Sequence, residues 1–300
     1  MWSDPPVFGE AVERWRARGG LEEVNGRRLF VLRRPGSGPT ILFLHGFPTA
    51  SFDFHRVVDL LDPQADLLLF DMLGFGLSEK PPDHLYSLAW QADAAEELVR
   101  RSGAEEVRIV AHDMGTSVAT ELFARALTGD LTMPLTRALL FNGSILLEVA
   151  SPTAGQRLLR SRAGAQAARL TTQTTFSKQF ARVFSPSHPL SKEDAAEHWA
   201  LVSTDDGHRI AHRTIHYMEE RERLTERWHG AFRDWPGELS LIWGLEDPVA
   251  TTKVLTGLRA LRPGMPVKEL PGIGHYPQLE DPRSVAGAIT ALAGPPADRG

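Results

Sequence analysis

The chain has 300 residues, 42% of them hydrophobic, and a formal net charge of −5 at pH 7. That length and apolar content suffice for a sizeable core, and the charge excludes the basic footprint of a nucleic-acid binder. The absence of cysteine excludes disulfides, thiolate metal sites and a cysteine nucleophile.

Residues 1–6 (Met-Trp-Ser-Asp-Pro-Pro) lack the basic-then-apolar pattern of a signal peptide. Apolar runs such as Leu67–Phe70 are too short to cross a bilayer, so a soluble, cytoplasmic protein is expected. Phe8, Val12 and Trp15 have helical spacing within residues 8–18. Leu21–Val24, Asn25-Gly26 and Leu29–Leu32 predict a hairpin, because Asn-Gly suits a turn with two positive φ angles. Thr40–Leu44 and Ala65–Phe70 are apolar runs that suit strands buried on both faces. Between them Phe54, Val57, Val58 and Leu61 predict a helix. A further helix spans 87–102, closed by Gly103. Val107–Ala111 and Thr136–Phe141 are strands.

The alternation of strand and helix then stops. Residues 145–236 have helical character, broken by Ser185-Pro186-Ser187-His188-Pro189, and read as an inserted subdomain ending at Trp235-Pro236-Gly237. The alternation resumes with a strand at 239–243, a helix at 252–261, a strand at Val267–Leu270 and a helix from Pro282 to Leu292. The tail from Ala293 to Gly300 is expected to fray. The whole predicts a mostly parallel, doubly wound α/β sheet, with core residues 1–144 and 237–300 and a helical insertion at 145–236. Its active groups should gather at the carboxyl ends of the strands.

Three strand ends carry such groups. After Val107–Ala111 the chain passes within a few residues into a helix, with Asp113 at the apex and the small Ala111 and Gly115 two residues to either side. That pattern fits a nucleophile elbow bearing a carboxylate, whose apex lies at the positive end of the following helix. Asp is also a common helix N-cap, which is the plainer reading of this stretch alone. Asp247 follows a later strand and His275 the last, giving the chain order nucleophile, acid, histidine. His208, His212 and His216 recur every four residues and suggest one polar helix face more than a metal site. Ser117 falls inside the helix, and Glu148 lies too far past its strand to replace Asp247.

With His45-Gly46-Phe47-Pro48, Asp71 through Pro81, the elbow, Asp247-Pro248 and Gly274-His275, the sequence resembles the α/β-hydrolase superfamily over nearly its whole length. The apex Asp narrows the resemblance to the epoxide hydrolase and haloalkane dehalogenase branch. Leu73-Gly74-Phe75-Gly76, Asp205-Asp206-Gly207 and His275-Tyr276-Pro277-Gln278-Leu279-Glu280-Asp281-Pro282 are similar to the epoxide-hydrolase-like mesoderm-specific transcript proteins.

The resemblance implies a helical cap over the sheet and a cofactor-independent, metal-free hydrolase acting on a small apolar substrate and water. Asp113 would form an alkyl-enzyme ester, and His275 backed by Asp247 would activate water to cleave it. Backbone N–H groups of Phe47 and Met114 would form the oxyanion hole. Tyr217, on what reads as the last cap helix, matches one of the tyrosines that protonate an opening epoxide. No second cap tyrosine is found, while His188, His198, His208 and His212 are available. Haloalkane dehalogenases typically use Trp after the nucleophile and Asn after His-Gly. Met114 and Phe47 stand there, which leaves dehalogenation as the alternative and epoxide hydrolysis as the main expectation. A non-catalytic ligand-binding protein on the same fold is the alternative of another class.

Overall fold

The computed structural model describes residues 7–294. The reading of residues 1–6 and that of the tail beyond Gly294 lie outside the described residues. Eight strands form one sheet: β1 Gly20–Val24, β2 Arg27–Arg34, β3 Ser37–Leu44, β4 Ala65–Phe70, β5 Val107–His112, β6 Leu135–Phe141, β7 Glu238–Gly244 and β8 Val267–Leu270. Their order is β1-β2-β4-β3-β5-β6-β7-β8. The β1–β2 and β2–β4 pairs are antiparallel, and every other pair is parallel.

The β1–β2 hairpin turns at Asn25 and Gly26, with φ of 50° and 73°, as the sequence predicts. β5 lies between β3 and β6 and is buried along its whole length, the setting for an uninterrupted apolar strand. Apolar side chains pack on both faces of the sheet. Helices Leu88–Ser102 and Met114–Thr128 cover one face, and the helix Pro282–Ala293 helps cover the other. Ser87 caps the first of these helices by accepting from Trp90 N–H, and left-handed Gly103 ends it. Two buried arginines on the sheet, Arg108 and Arg137, donate to the terminal carbonyls of Leu292 and Gly294, where the helix dipole favours positive charge. That helix runs through Ala293, so the expected fraying does not begin there.

Several local expectations differ from the structure. The turn after β3 is a 3-10 segment, Ser51–Phe54, followed by one α-turn, His55–Val58, in place of a single amphipathic helix. The segment 204–210 is also a 3-10 turn, kinked at the left-handed residues Asp205 and Asp206. His208, His212 and His216 therefore share no helix face. His208 packs on Trp199, His212 Nδ1 meets the Arg209 carbonyl, and His216 pairs with Glu219.

Between β6 and β7 the described residues contain helices only, the first starting at Ala154 and the last ending at Asp234. They enclose a cavity of about 380 Å³ whose floor includes Phe47, Pro48 and His275. Trp228 and Trp235 are core residues and do not line it. No helix among the described residues is long and apolar enough to cross a membrane.

Candidate active site

Asp113 sits between β5 and the helix Met114–Thr128 with φ 47° and ψ −112°. A non-glycine residue is held there only where its surroundings enforce it. The crowding is visible at two glycines. A Cβ on Gly115 would come within 2.3 Å of the Leu44 carbonyl oxygen, and one on Gly46 within 2.7 Å of the Asp113 Cβ. The strained turn points the Asp113 side chain out of the sheet at the end of β5, and no side-chain capping bond forms. The plain N-cap reading therefore does not describe this residue.

The Asp113 carboxylate is 4% exposed. Its Oδ1 accepts from Phe47 N–H at 2.9 Å, and its Oδ2 lies 3.8 Å from His275 Nε2. On the other side of the imidazole, Nδ1 is 2.7 Å from Asp247 Oδ2. Asp247 is fixed in turn: Oδ1 accepts from Val249 and Ala250 N–H, and Oδ2 accepts from Asn142 Nδ2 at 2.8 Å. Burial alone disfavours a charged His275, but the two carboxylates outweigh it, Asp247 first, and raise its pKa to about 9. Chain segments more than a hundred residues apart thus converge on one imidazole.

The loop bearing His275 is fastened by Glu280, whose carboxylate accepts from the N–H groups of Ser185, Gly274 and Tyr276. His275 N–H donates to the Val183 carbonyl. On the nearer loop, His45 accepts from Met72 N–H through Nε2, and its Nδ1 faces the Gly46 carbonyl. His45 thus braces the backbone that presents Phe47 N–H, and it is not oriented as a base.

Tyr217 is the first residue of the helix Tyr217–Arg223, and a further helix, Thr225–Asp234, follows it. It is therefore not on the last helix of the insertion. Its buried ring packs against Phe47 at 5.8 Å between centroids. It shares a crevice of about 20 Å³ with Asp113, Gln156 and Arg221. Burial, and then the Asp113 charge, raise its pKa and keep the phenol neutral.

The family model for the alpha/beta hydrolase fold matches residues 39–282. The chain belongs to this family. A Mycobacterium tuberculosis protein named "Putative hydrolase LipZ" is 50% identical over 282 residues, covering 94% of this chain and 98% of that protein. The human mesoderm-specific transcript homolog protein is 33% identical over 291 residues, covering 93% of this chain and 86% of its own length. The crystal structure of the haloalkane dehalogenase DbeA-M1 loop variant from Bradyrhizobium elkanii superposes with a TM-score of 0.76 at 20% identity, covering 92% of this chain and 95% of that one. That likeness speaks to the fold.

In this α/β-hydrolase, several groups at the site escaped the sequence reading. His112, directly before Asp113, is fully buried. Its Nε2 donates to the His275 carbonyl at 2.7 Å, and its Nδ1 faces Gln278 Nε2 at 3.1 Å. Burial lowers its pKa to about 4, so the ring is neutral. Asn142 links the ends of β6 and β7 through Gly244 as well as Asp247. Arg221 donates through Nε to Ser117 Oγ at 2.8 Å and through Nη2 to the Asp113 carbonyl at 3.3 Å, with its guanidinium 4.6 Å from the Tyr217 ring centroid. The four-residue spacing of Tyr217 and Arg221 on one helix was the available signal. Tyr276 and His208 line the large cavity, whereas His188 and His198 do not. Tyr86 donates to the Pro81 carbonyl away from the site.

Proposed function

We propose that the chain is an epoxide hydrolase working through an ester on Asp113, with residues 145–236 forming a cap over a core of 1–144 and 237–300. The observation that carries this reading is the elbow carboxylate. One of its oxygens is held by Phe47 N–H, and the other faces an imidazole backed by Asp247. A serine at that apex would serve acyl transfer. A carboxylate instead suits attack on an sp³ carbon.

In the first step Asp113 Oδ2 bonds to an epoxide carbon, the ring C–O bond breaks, and the departing oxygen takes the Tyr217 proton. The neutral phenol beside Asp113 supports that role. In the second step His275 Nε2 takes a proton from water, and the hydroxide adds to the Asp113 carboxyl carbon. The resulting oxyanion is met by Phe47 N–H, joined in this reading by Met114 N–H. When the ester C–O bond breaks, the alkoxide takes the proton from His275. The second water proton, left on the Asp113 carboxyl, returns to the Tyr217 phenolate. Epoxide and water give a diol, and the cycle closes in the cytoplasm without cofactor or metal. Dehalogenation by the same ester is less well supported, since Met114 and Phe47 offer a leaving halide no side-chain N–H.

The test is intact-protein mass spectrometry on the His275→Gln variant after exposure to a panel of epoxides and alkyl halides. Accumulation of an adduct with the full epoxide mass, absent when Asp113→Asn is added, is expected. Adducts from halides alone, with halide released, would replace this reading with dehalogenation. Failure of every compound to add would favour a non-catalytic binder.

A further inference from the structure

The helical insertion that encloses the cavity has an uneven charge pattern. Residues 149–191 contain six Lys and Arg (Arg157, Arg160, Arg162, Arg169, Lys178 and Arg182) and no Asp or Glu. The rest of the chain is acidic enough to make the total −5, so the positive charge is concentrated in this one lobe. Among the described residues only Arg160 of the six has an acidic partner, Glu222 at 2.8 Å. The other five are exposed.

The same lobe carries exposed leucines. Leu170 is 77% exposed and Leu158 is 49% exposed, yet both line the cavity. Each stands beside an arginine in sequence, Arg169 and Arg157. The leucines that line the cavity thus sit in a stretch of chain that carries exposed cations and no carboxylate. A scattered surface leucine needs no explanation. Two lining an apolar cavity, in a segment with exposed cations and no carboxylate, have the composition of an interfacial membrane-binding face.

We propose that this lobe docks on an anionic lipid surface, with Leu158 and Leu170 seated among the acyl chains and the arginines among the headgroups. An apolar substrate dissolved in the lipid then enters the cavity without crossing water. The argument rests on charge complementarity and on the leucines, and it does not depend on the chemistry assigned to Asp113.

The test is co-flotation of the full chain with vesicles of phosphatidylcholine alone and of equimolar phosphatidylcholine and phosphatidylglycerol. Binding to the anionic vesicles only, released by salt, is expected. Each cation near such a surface contributes about a fivefold gain in partition. Arg162→Glu with Arg169→Glu changes four unit charges and should therefore weaken binding by several hundredfold, on the order of 5⁴. Leu158→Ser with Leu170→Ser should weaken it by on the order of a hundredfold. The same charge reversal at Arg100 and Arg101, which pair with Glu97 on their own helix, Leu88–Ser102, outside the insertion, should leave binding unchanged. Thermal unfolding of each variant checks that it is folded. Three outcomes overturn the proposal: equal binding to neutral vesicles, an equal effect of the Arg100 and Arg101 reversals, or retention by a soluble polyanion that ignores the leucine changes. A dimer in light scattering without lipid, broken by the serine variants, would assign the face to a second copy instead and overturn it too.

Discussion

His275 stands between two carboxylates, with Nδ1 2.7 Å from Asp247 Oδ2 and Nε2 3.8 Å from Asp113 Oδ2. Asp247 is held by three protein donors, whereas Asp113 Oδ2 faces the imidazole and Oδ1 accepts from Phe47 N–H. Burial opposes a charge on this imidazole, but the carboxylates, Asp247 first, raise its pKa to about 9, which favours the protonated ring. Esterification of Asp113 would remove one of the two anions, and the pKa of His275 would fall. The base would then become available at the stage where water must be activated. Asp113→Asn imitates that charge loss. Titration of His275 by NMR should give a pKa clearly below 9 in the variant, and an unchanged value would break the link between ester and base.

The phenol of Tyr217 is expected to matter for ring opening and not for halide departure, because a halide leaves without a proton. Tyr217→Phe should slow alkylation of the His275→Gln background by epoxides about 10²- to 10⁴-fold. Alkylation by any reactive halide should change little. Rapid-quench mass spectrometry measures both, and an equal loss for the two substrates would make Tyr217 a packing residue.

Asn142 makes a different kind of contribution. It accepts from Gly244 N–H and donates to Asp247 Oδ2 from a fully buried position. Asn142→Ala leaves those groups without their partner, which costs about 1–3 kcal/mol. Urea unfolding should show that loss. Ester hydrolysis should slow more than ester formation, since the variant loosens Asp247 and spares Asp113.

The fold was largely legible because its signals are local. Buried parallel strands are continuous apolar runs, the Asn25-Gly26 turn demands positive φ, and an Ala111-x-Asp113-x-Gly115 apex needs small neighbours. Asp247 and His275 were legible because a doubly wound sheet sends its strand ends to one place. Arg221 was not, because its partners Ser117 and Asp113 come from an element more than a hundred residues away whose packing against it no periodicity encodes. The histidines at 208, 212 and 216 misled for the converse reason. Their spacing is helical, but Asp205 and Asp206 take left-handed backbone and the following helices are short, so the period has no continuous helix to act on.

Arg221 joins three parts of the site: Ser117 in the helix after the elbow, the Asp113 carbonyl, and the face of Tyr217. Arg221→Met retains most of the side-chain volume and removes the donors. It should weaken the variant by about 1–3 kcal/mol and lower epoxide alkylation more than thermal stability alone explains. Arg221→Lys keeps the charge but not the planar fork, and should rescue little. Full rescue by Lys would reduce the role of Arg221 to charge.

The buried histidines set the response to acid. His112 is neutral, enclosed by the His275 carbonyl and Gln278, with its pKa lowered to about 4 by burial. The ordinary value is 6.5, so between the two the unfolded chain binds a proton that the folded chain refuses. The stability tied to this ring is fully present above pH 6.5 and is lost as pH falls through 4. His55, stacked on Phe52 and also lowered to about 4, acts in the same direction. His275 acts oppositely: its raised pKa adds stability below pH 6.5 that fades as pH rises through 9. For His112 the full difference amounts to about 3 kcal/mol. Urea midpoints should therefore fall steeply from pH 6.5 to 4. His112→Gln, which keeps a donor toward the His275 carbonyl, should flatten that fall while lowering the plateau. An equally steep acid limb in His112→Gln would assign the acid sensitivity elsewhere, with His55→Phe as the next variant to titrate.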